Sequence, residues 1–222
     1  MATSIYVVCG ICANFWGESG VNPGIYENLD PLRPDPAGYG LGQWTNIPGG
    51  LQRRTQLWTW LANNGYPRDS GLGQLNFLIV ESYWSTYYSY AAQYANLTDY
   101  LNSASLNLDE LTWAFGQGWE GIWNSGVQAR SQYAHDIYQW LIDHINDPRQ
   151  PWHAGNYYLT AQERYENILH IYDFFTGYIP PTPPTPEDPI EEWQMAVIRK
   201  IKLKRERSRK DDISKRKSTY IL

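Results

Sequence analysis

The sequence predicts a mainly α-helical fold organised around one apolar helix and one glycine-rich turn. Three observations predict it. Residues Ile5 to Trp16 form an apolar run without proline, which suits a buried helix. Beyond residue 50, apolar side chains recur at helical spacing in segment after segment, separated by Asn, Gly and Pro. Two helix starts are written as capping boxes, at Asn107 with Glu110 and at Thr160 with Glu163. No stretch reads as strand-rich and none repeats.

The first helix is weakest at Gly10 and Gly17. Ser19-Gly20 and then Asn22-Pro23-Gly24 are stop signals, so Glu18 falls in the last helical turn. A carboxylate there feels the negative end of the helix dipole. Trp16, Tyr39 and Trp44 are available as apolar walls. Both effects disfavour the charged form, so a raised pKa is expected for Glu18. That is what a general acid needs near neutral pH. A solvated helix-end glutamate is the alternative.

Residues 21–36 hold Glu27, Asp30, Pro31, Pro34 and Asp35 in quick succession, which predicts a loop or short irregular hairpin. Gly38-Tyr39-Gly40-Leu41-Gly42-Gln43-Trp44 then places glycines on alternate positions. Glycine allows positive φ and lets a ligand approach the backbone. Gln43 offers a donor and an acceptor for sugar hydroxyls or N-acetyl groups, and aromatic faces stack on sugar rings. A glycine-rich β-turn with nothing bound is the alternative.

Residues 46–50 form a turn. A helix is predicted over 51–63 with Leu57, Trp58 and Leu61 on one face, ended by Asn64-Gly65. The next is expected over 73–95, with a core stripe of Leu75, Leu78, Ile79, Ser82 and Tyr83. The helix after Asn107 carries Leu111, Phe115 and Trp119, and Gly121 and Gly126 interrupt it. Residues 128–145 follow as a helix burying Ala129, Tyr133, Ile137, Trp140 and Leu141. The helix capped at Thr160 runs to Gly177 with Tyr165, Leu169, Tyr172 and Phe175 inward. Pro180 to Pro186 reads as a stiff polyproline linker. After it Trp193, Val197 and Ile201 recur every four residues among Arg and Lys, a short basic amphipathic helix fading into a disordered end.

The order Glu-Ser-Gly-x-Asn-Pro, then Gly-x-Gly-Leu-x-Gln-Trp, resembles the lysozyme-like superfamily of goose-type lysozymes and lytic transglycosylases. Within it the chain is most similar to the phage tail lysozyme family. The residues that carry the resemblance are Asn14, Trp16, Glu18, Ser19, Gly20, Asn22 and Pro23, and then Gly40-Leu41-Gly42-Gln43-Trp44. The likeness extends to about residue 145. It implies a lysozyme-like catalytic domain over 1–150, with a short irregular β or loop element facing the catalytic helix. A C-terminal helical extension (151–179), the proline-rich linker (180–189) and the basic tail (190–222) follow.

The resemblance further implies cleavage of the β-1,4 bond between N-acetylmuramic acid and N-acetylglucosamine in peptidoglycan. Glu18 would protonate the glycosidic oxygen. Ser19, Tyr39, Gly40, Leu41, Gly42, Gln43 and Trp44 would bind the sugar. Glycoside hydrolysis commonly uses a second carboxyl group, for which Glu120, Asp30 and Asp35 are the candidates. Glu120 follows Trp119 and resembles the family's Tyr-Glu near this place, but Gly121-Ile122 stands where proline is common. The implied setting is a bacteriophage tail, or release from or into the host cell, with the cell wall as target. A lytic transglycosylase and a non-catalytic wall-binding or structural tail module are the competing readings.

Composition bounds the remaining classes. The chain has 222 residues with 11 Trp and 18 Tyr, which suits an aromatic-rich core or a carbohydrate cleft. The two cysteines, Cys9 and Cys12, lie on the apolar helix without a second pair, so they read as small buried hydrophobes. Neither metal nor cofactor is expected. The four histidines do not cluster, and no Ser-His-Asp order or phosphate loop is present. No run of apolar residues is long enough for a membrane span, and no cleaved leader is expected because cleavage would remove the Glu18 motif.

Charge divides the chain. Residues 1–189 hold 7 basic against 18 acidic side chains, and 190–222 hold 11 basic against 5 acidic. The tail is expected to dock on other phage tail proteins or on an anionic surface. Nonspecific nucleic-acid binding is a weaker reading of it, and no specific nucleic acid is expected.

Overall fold

The structure is a computed structural model that describes residues 3–32, 37–81, 83–122 and 126–177. Seven α-helices lie among these residues: α1 Ile5–Ser19, α2 Arg53–Asn63, α3 Gly71–Glu81, α4 Leu97–Leu101, α5 Leu108–Phe115, α6 Gly126–His144 and α7 Ala161–Thr176. The only β features among them are two isolated bridges, Tyr26 with Tyr39 and Asn46 with Gln52. The fold is mainly α, as the apolar periodicity predicts. The linker and tail predicted over 180–222 lie outside the described residues.

Helix α1 is the axis. Its residues Val7 to Phe15 are all buried, and it packs on α5, α6 and α7. A helix surrounded on every side must be apolar on every side, which is why its sequence lacks a polar stripe. Ser4 caps its start by accepting from the Val7 amide. Gly20, at φ 61, ends it. The Gly20 amide donates to Trp16 O and the Val21 amide to Phe15 O, the paired bonds of a Schellman stop. Val21 also sits at φ 60, a strained conformation for a β-branched residue. Complete burial holds it there.

One hydrophobic cluster runs from Val7 through Leu57, Leu75 and Leu111 to Phe175. Ile168, Leu169, Ile171 and Phe175 of α7 belong to it, so α7 shares the core of the preceding helices. Each fully buried aliphatic or aromatic side chain contributes roughly 1.5–3 kcal/mol. Cys9 and Cys12 are free and buried in that cluster, and burial pushes both thiols up.

Two helix expectations are corrected. The helix expected over 73–95 stops at Glu81. The residues after it are aromatic, Ser or Thr, all modest helix formers, and tertiary contacts claim them. The Ser85 amide donates to Gly118 O at 2.7 Å, and the Trp84 ring packs on Gly118. Ser82 lies outside the described residues. A short helix, α4, then forms behind an Asn96 cap.

The buried stripe of α6 is Arg130, Ala134, Ile137 and Leu141, with Ala129 exposed and Tyr133 and Trp140 only partly covered. The stripe is therefore set one residue on from Ala129, and it includes a cation. Beyond Phe115 the chain widens into a π-helical turn, Gly116–Glu120, closed by Gly121 at φ 77. Trp119 and Glu120 thus hang from a bulged turn, a geometry frequent at functional sites.

Candidate active site

The site is assembled on the last turn of α1. Glu18 projects there with its side chain 26% exposed, and Arg130 of α6 donates to it through Nη2. The same guanidinium donates through Nη1 to Glu120, whose side chain is only 4% exposed. Nη1 also donates to Asn14 Oδ1 at 2.7 Å. Asn14 is completely buried, and its amide donates to Gly10 O at 2.8 Å and Thr112 O at 2.9 Å. The order from core to solvent is therefore Asn14, then Arg130 with Glu120, then Glu18.

The helix glycine Gly17 gives Arg130 room. A Cβ there would lie 2.7 Å from Arg130 Nε.

Electrostatics separates the two carboxyls. Burial pushes Glu120 up to about 8; Arg130 opposes that shift and the Glu18 charge reinforces it. Its Oε1 is buried and meets no hydrogen-bond partner among the described residues, which suits a protonated carboxyl better than a carboxylate. Burial works against the charge of Arg130, but Glu120 and Glu18 outweigh it and hold the guanidinium more firmly protonated. The raised carboxyl resolved in this cluster is thus the buried one, Glu120. Of the side chains expected as apolar walls, Tyr39 is buried. Trp44 is core, its indole N–H donating to Glu81 at 3.2 Å. Trp16 lies against Tyr133 and Tyr165.

The glycine turn is tied to α1 through Ser19. Ser19 Oγ lies 2.8 Å from Leu41 O and 3.0 Å from Phe15 O. The alternate glycines admit protein side chains. A Cβ on Gly38 would lie 2.6 Å from Gln43 Oε1, one on Gly40 2.4 Å from Gln74 Oε1, and one on Gly42 2.2 Å from the Trp119 ring. Gln74 of α3 is buried and bridges the turn to the 22–24 loop: Oε1 accepts from the Leu41 amide and Nε2 donates to Pro23 O. Gln43 sits at φ 46 and donates from Nε2 to Gly40 O at 3.0 Å. Tyr39, Leu41 and Trp44 are at most 3% exposed. The space that alternate glycines open for a ligand is filled here by Gln43, Gln74 and Trp119.

The acidic loop contributes differently from its expectation. Glu27 accepts from the Gly38 amide at 3.0 Å and so helps close the loop. Asp30 is exposed and accepts from the Leu32 amide of its own turn. Asp35 lies outside the described residues. Of the three candidates for a second carboxyl, Glu120 alone is seen joined to Glu18, and it is joined through Arg130.

Arg130 itself was not anticipated. Its signal was available: it is the basic residue lying on the 130/134/137/141 stripe, where a cation must have buried anions to meet.

A second, partly buried pair stands beside Trp119. Arg53 binds Glu81 through Nε at 2.6 Å and Nη2 at 2.9 Å, and its Nη1 reaches Trp119 O at 3.4 Å. Glu81 also borders a shallow groove of about 440 Å³ between α2 and α3, floored by Trp60 and Phe77. Among the described residues no group of His, Cys, Asp and Glu is arranged to hold a metal ion, and no helix is long and apolar enough to cross a membrane.

The phage tail lysozyme family model matches residues 3–141. Over 74 residues the chain is 36% identical to morphogenesis protein 1 of Bacillus phage B103, a match that takes in 33% of this chain and 18% of that protein. The chain therefore spans less than a fifth of that relative.

Proposed function

This chain belongs to the phage tail lysozyme family, and on that premise we propose that it is a muramidase cleaving the β-1,4 bond between N-acetylmuramic acid and N-acetylglucosamine. One observation carries the assignment of the acid. Of the three polar side chains that converge on Arg130, Asn14, Glu18 and Glu120, only Glu18 is open to solvent, at 26% against 4% for Glu120. A sugar can reach Glu18 and cannot reach the others. Glu18 is the proton donor to the glycosidic oxygen.

The chain then supplies three things. Arg130 and Asn14 fix the direction of the Glu18 carboxyl. The Ser19 bond sets the distance from Glu18 to the glycine turn. The turn, packed on Gln74 and Trp119, forms a rigid wall, so its part in sugar binding falls mainly to backbone groups and the half-buried Gln43. As the C–O bond breaks, Glu18 becomes a carboxylate facing the oxocarbenium-like centre. Water or a hydroxyl of the sugar captures that centre and returns a proton to Glu18.

The sealed position of Glu120 favours a second reading of the capture step. A carboxyl that cannot touch water cannot activate it. Attack by the sugar's own hydroxyl, the transglycosylase route, needs no second carboxylate. Mass spectrometry of the fragments released from purified peptidoglycan separates the two: a reducing muramic end carries one water more than an anhydro end. Binding to peptidoglycan with no fragments of either kind would reduce the domain to a wall-recognition module.

The setting we propose is a phage tail lysin that opens the host wall. The name of the matched relative, a phage morphogenesis protein, accords with a part built into the virion. The basic residues of 190–222 would then dock on another tail protein or on an anionic wall polymer.

A further inference from the structure

We infer that Glu120 is a positioning residue for the proposed reaction, acting through Arg130 by carrying the negative charge of the cluster while Glu18 carries the proton. This rests on the muramidase reading and deepens it. The geometry is one guanidinium with a carboxyl on each of two nitrogens. Arg130 keeps its charge at any working pH. A buried cluster is least costly when its charges cancel. Two carboxylates would leave it at −1 and two neutral acids at +1. One of each leaves it neutral, so the two carboxyls hold one proton between them.

Where that proton sits depends on what covers Glu18. In the free protein Glu18 is partly solvated and Glu120 is not, so the proton favours Glu120, whose Oε1 has no donor facing it among the described residues. A sugar laid over Glu18 removes its water and with it the advantage of the charged form. The proton is then taken up at Glu18 and given up at Glu120, which stays paired to Arg130. The total is unchanged. Glu18 next transfers its proton to the glycosidic oxygen, the C–O bond breaks, and the capturing hydroxyl or water restores it.

Of the charged groups packed around this pair, Arg53 favours the charged form of Glu120, but less than Arg130 does. Arg53 of α2, beside Trp119, is neutralised by Glu81 of α3. Arg164 of α7 stands beside Gly20 and over the Trp16 ring. Neither is hydrogen-bonded to Glu18 or Glu120.

The test is the pH profile of clearing of purified peptidoglycan by the wild type, Glu120→Gln, Glu120→Asp and Glu18→Gln. With Gln at 120, Arg130 has Glu18 as its one anion, and Glu18 must stay charged to lower pH. The alkaline limb of activity moves down by a unit or more, about tenfold in rate at neutral pH, and acidification restores the rate. Glu120→Asp moves it less. A loss of the same size at every pH, or an unmoved limb, would overturn the inference.

Should Glu120→Gln fail to fold, Glu18→Gln carries the test, because position 18 is the open one. Removing the Glu18 charge lowers the midpoint of the Glu120 carboxyl below that in the wild type, read by carboxyl ¹³C NMR on glutamate-labelled protein. An unchanged midpoint contradicts it. Retained clearing by Glu18→Gln would sink the assignment of Glu18 as the acid, on which this inference rests; loss there with an unmoved Glu120→Gln limb would sink the present inference alone.

Discussion

Ser19 Oγ stands 2.8 Å from Leu41 O, so one hydroxyl joins the helix end that carries Glu18 to the glycine turn. Both partners are buried. Ser19→Ala leaves the Leu41 carbonyl without this donor, a loss of about 1–2 kcal/mol. Urea unfolding would show it. Clearing activity should fall by less than for Glu18→Gln, because Glu18 itself is retained.

Asn14 holds Arg130 from the core side, with three hydrogen bonds to Arg130, Gly10 and Thr112. Asn14→Ala removes all three and leaves a buried cation short of an acceptor. A destabilisation of about 2–4 kcal/mol follows, visible as a lowered Tm. Asn14→Asp instead adds a third acid to Arg130. It should raise the Glu120 carboxyl further and shift the active pH range upward.

Gly42 is set by contact with Trp119, whose ring a Cβ would approach to 2.2 Å. Gly42→Ala forces Trp119 aside at a cost of about 1–3 kcal/mol. Since Glu120 is the next residue, clearing should drop along with the near-ultraviolet signal of Trp119. Gly49→Ala is not the matching control, because Gly49 sits at φ +72 and would add strain of its own. Thr59→Ala, at an exposed position on α2, serves better and should change neither.

The Glu120 carboxyl also makes stability depend on pH. Its folded value of about 8 lies above the ordinary 4.5, so between these the folded state holds a proton that the unfolded chain has lost. Stability therefore falls as pH rises through that window. The contribution is full below the lower value and is lost towards the upper one, at most about 5 kcal/mol. Comparing urea midpoints of the wild type and Glu120→Gln at pH 5 and pH 8 checks it. The difference between the proteins should move in favour of Gln as pH rises.

Local chemistry was legible in the sequence, and long-range contact was not. The apolar run, Gly20 and the Asn107 and Thr160 caps act within one turn of the chain, and each marks an observed helix end. The end of α3 depends on Gly118, more than thirty residues away, so no window of local sequence contains it. The alternate glycines of 38–42 open space beside the backbone. From sequence that space is the same whether a sugar or Gln74 fills it. The placement of Glu120 depended on Arg130, and a buried arginine on an otherwise apolar stripe is the clue that links the two.

The most direct test of the central claim is clearing of purified peptidoglycan by the wild type and by Glu18→Gln. Glutamine keeps the shape and the place beside Arg130 and removes the transferable proton. The account predicts that the wild type clears and that the variant is slower by about a hundredfold or more, with its Tm little changed. Equal clearing by the two proteins would contradict it.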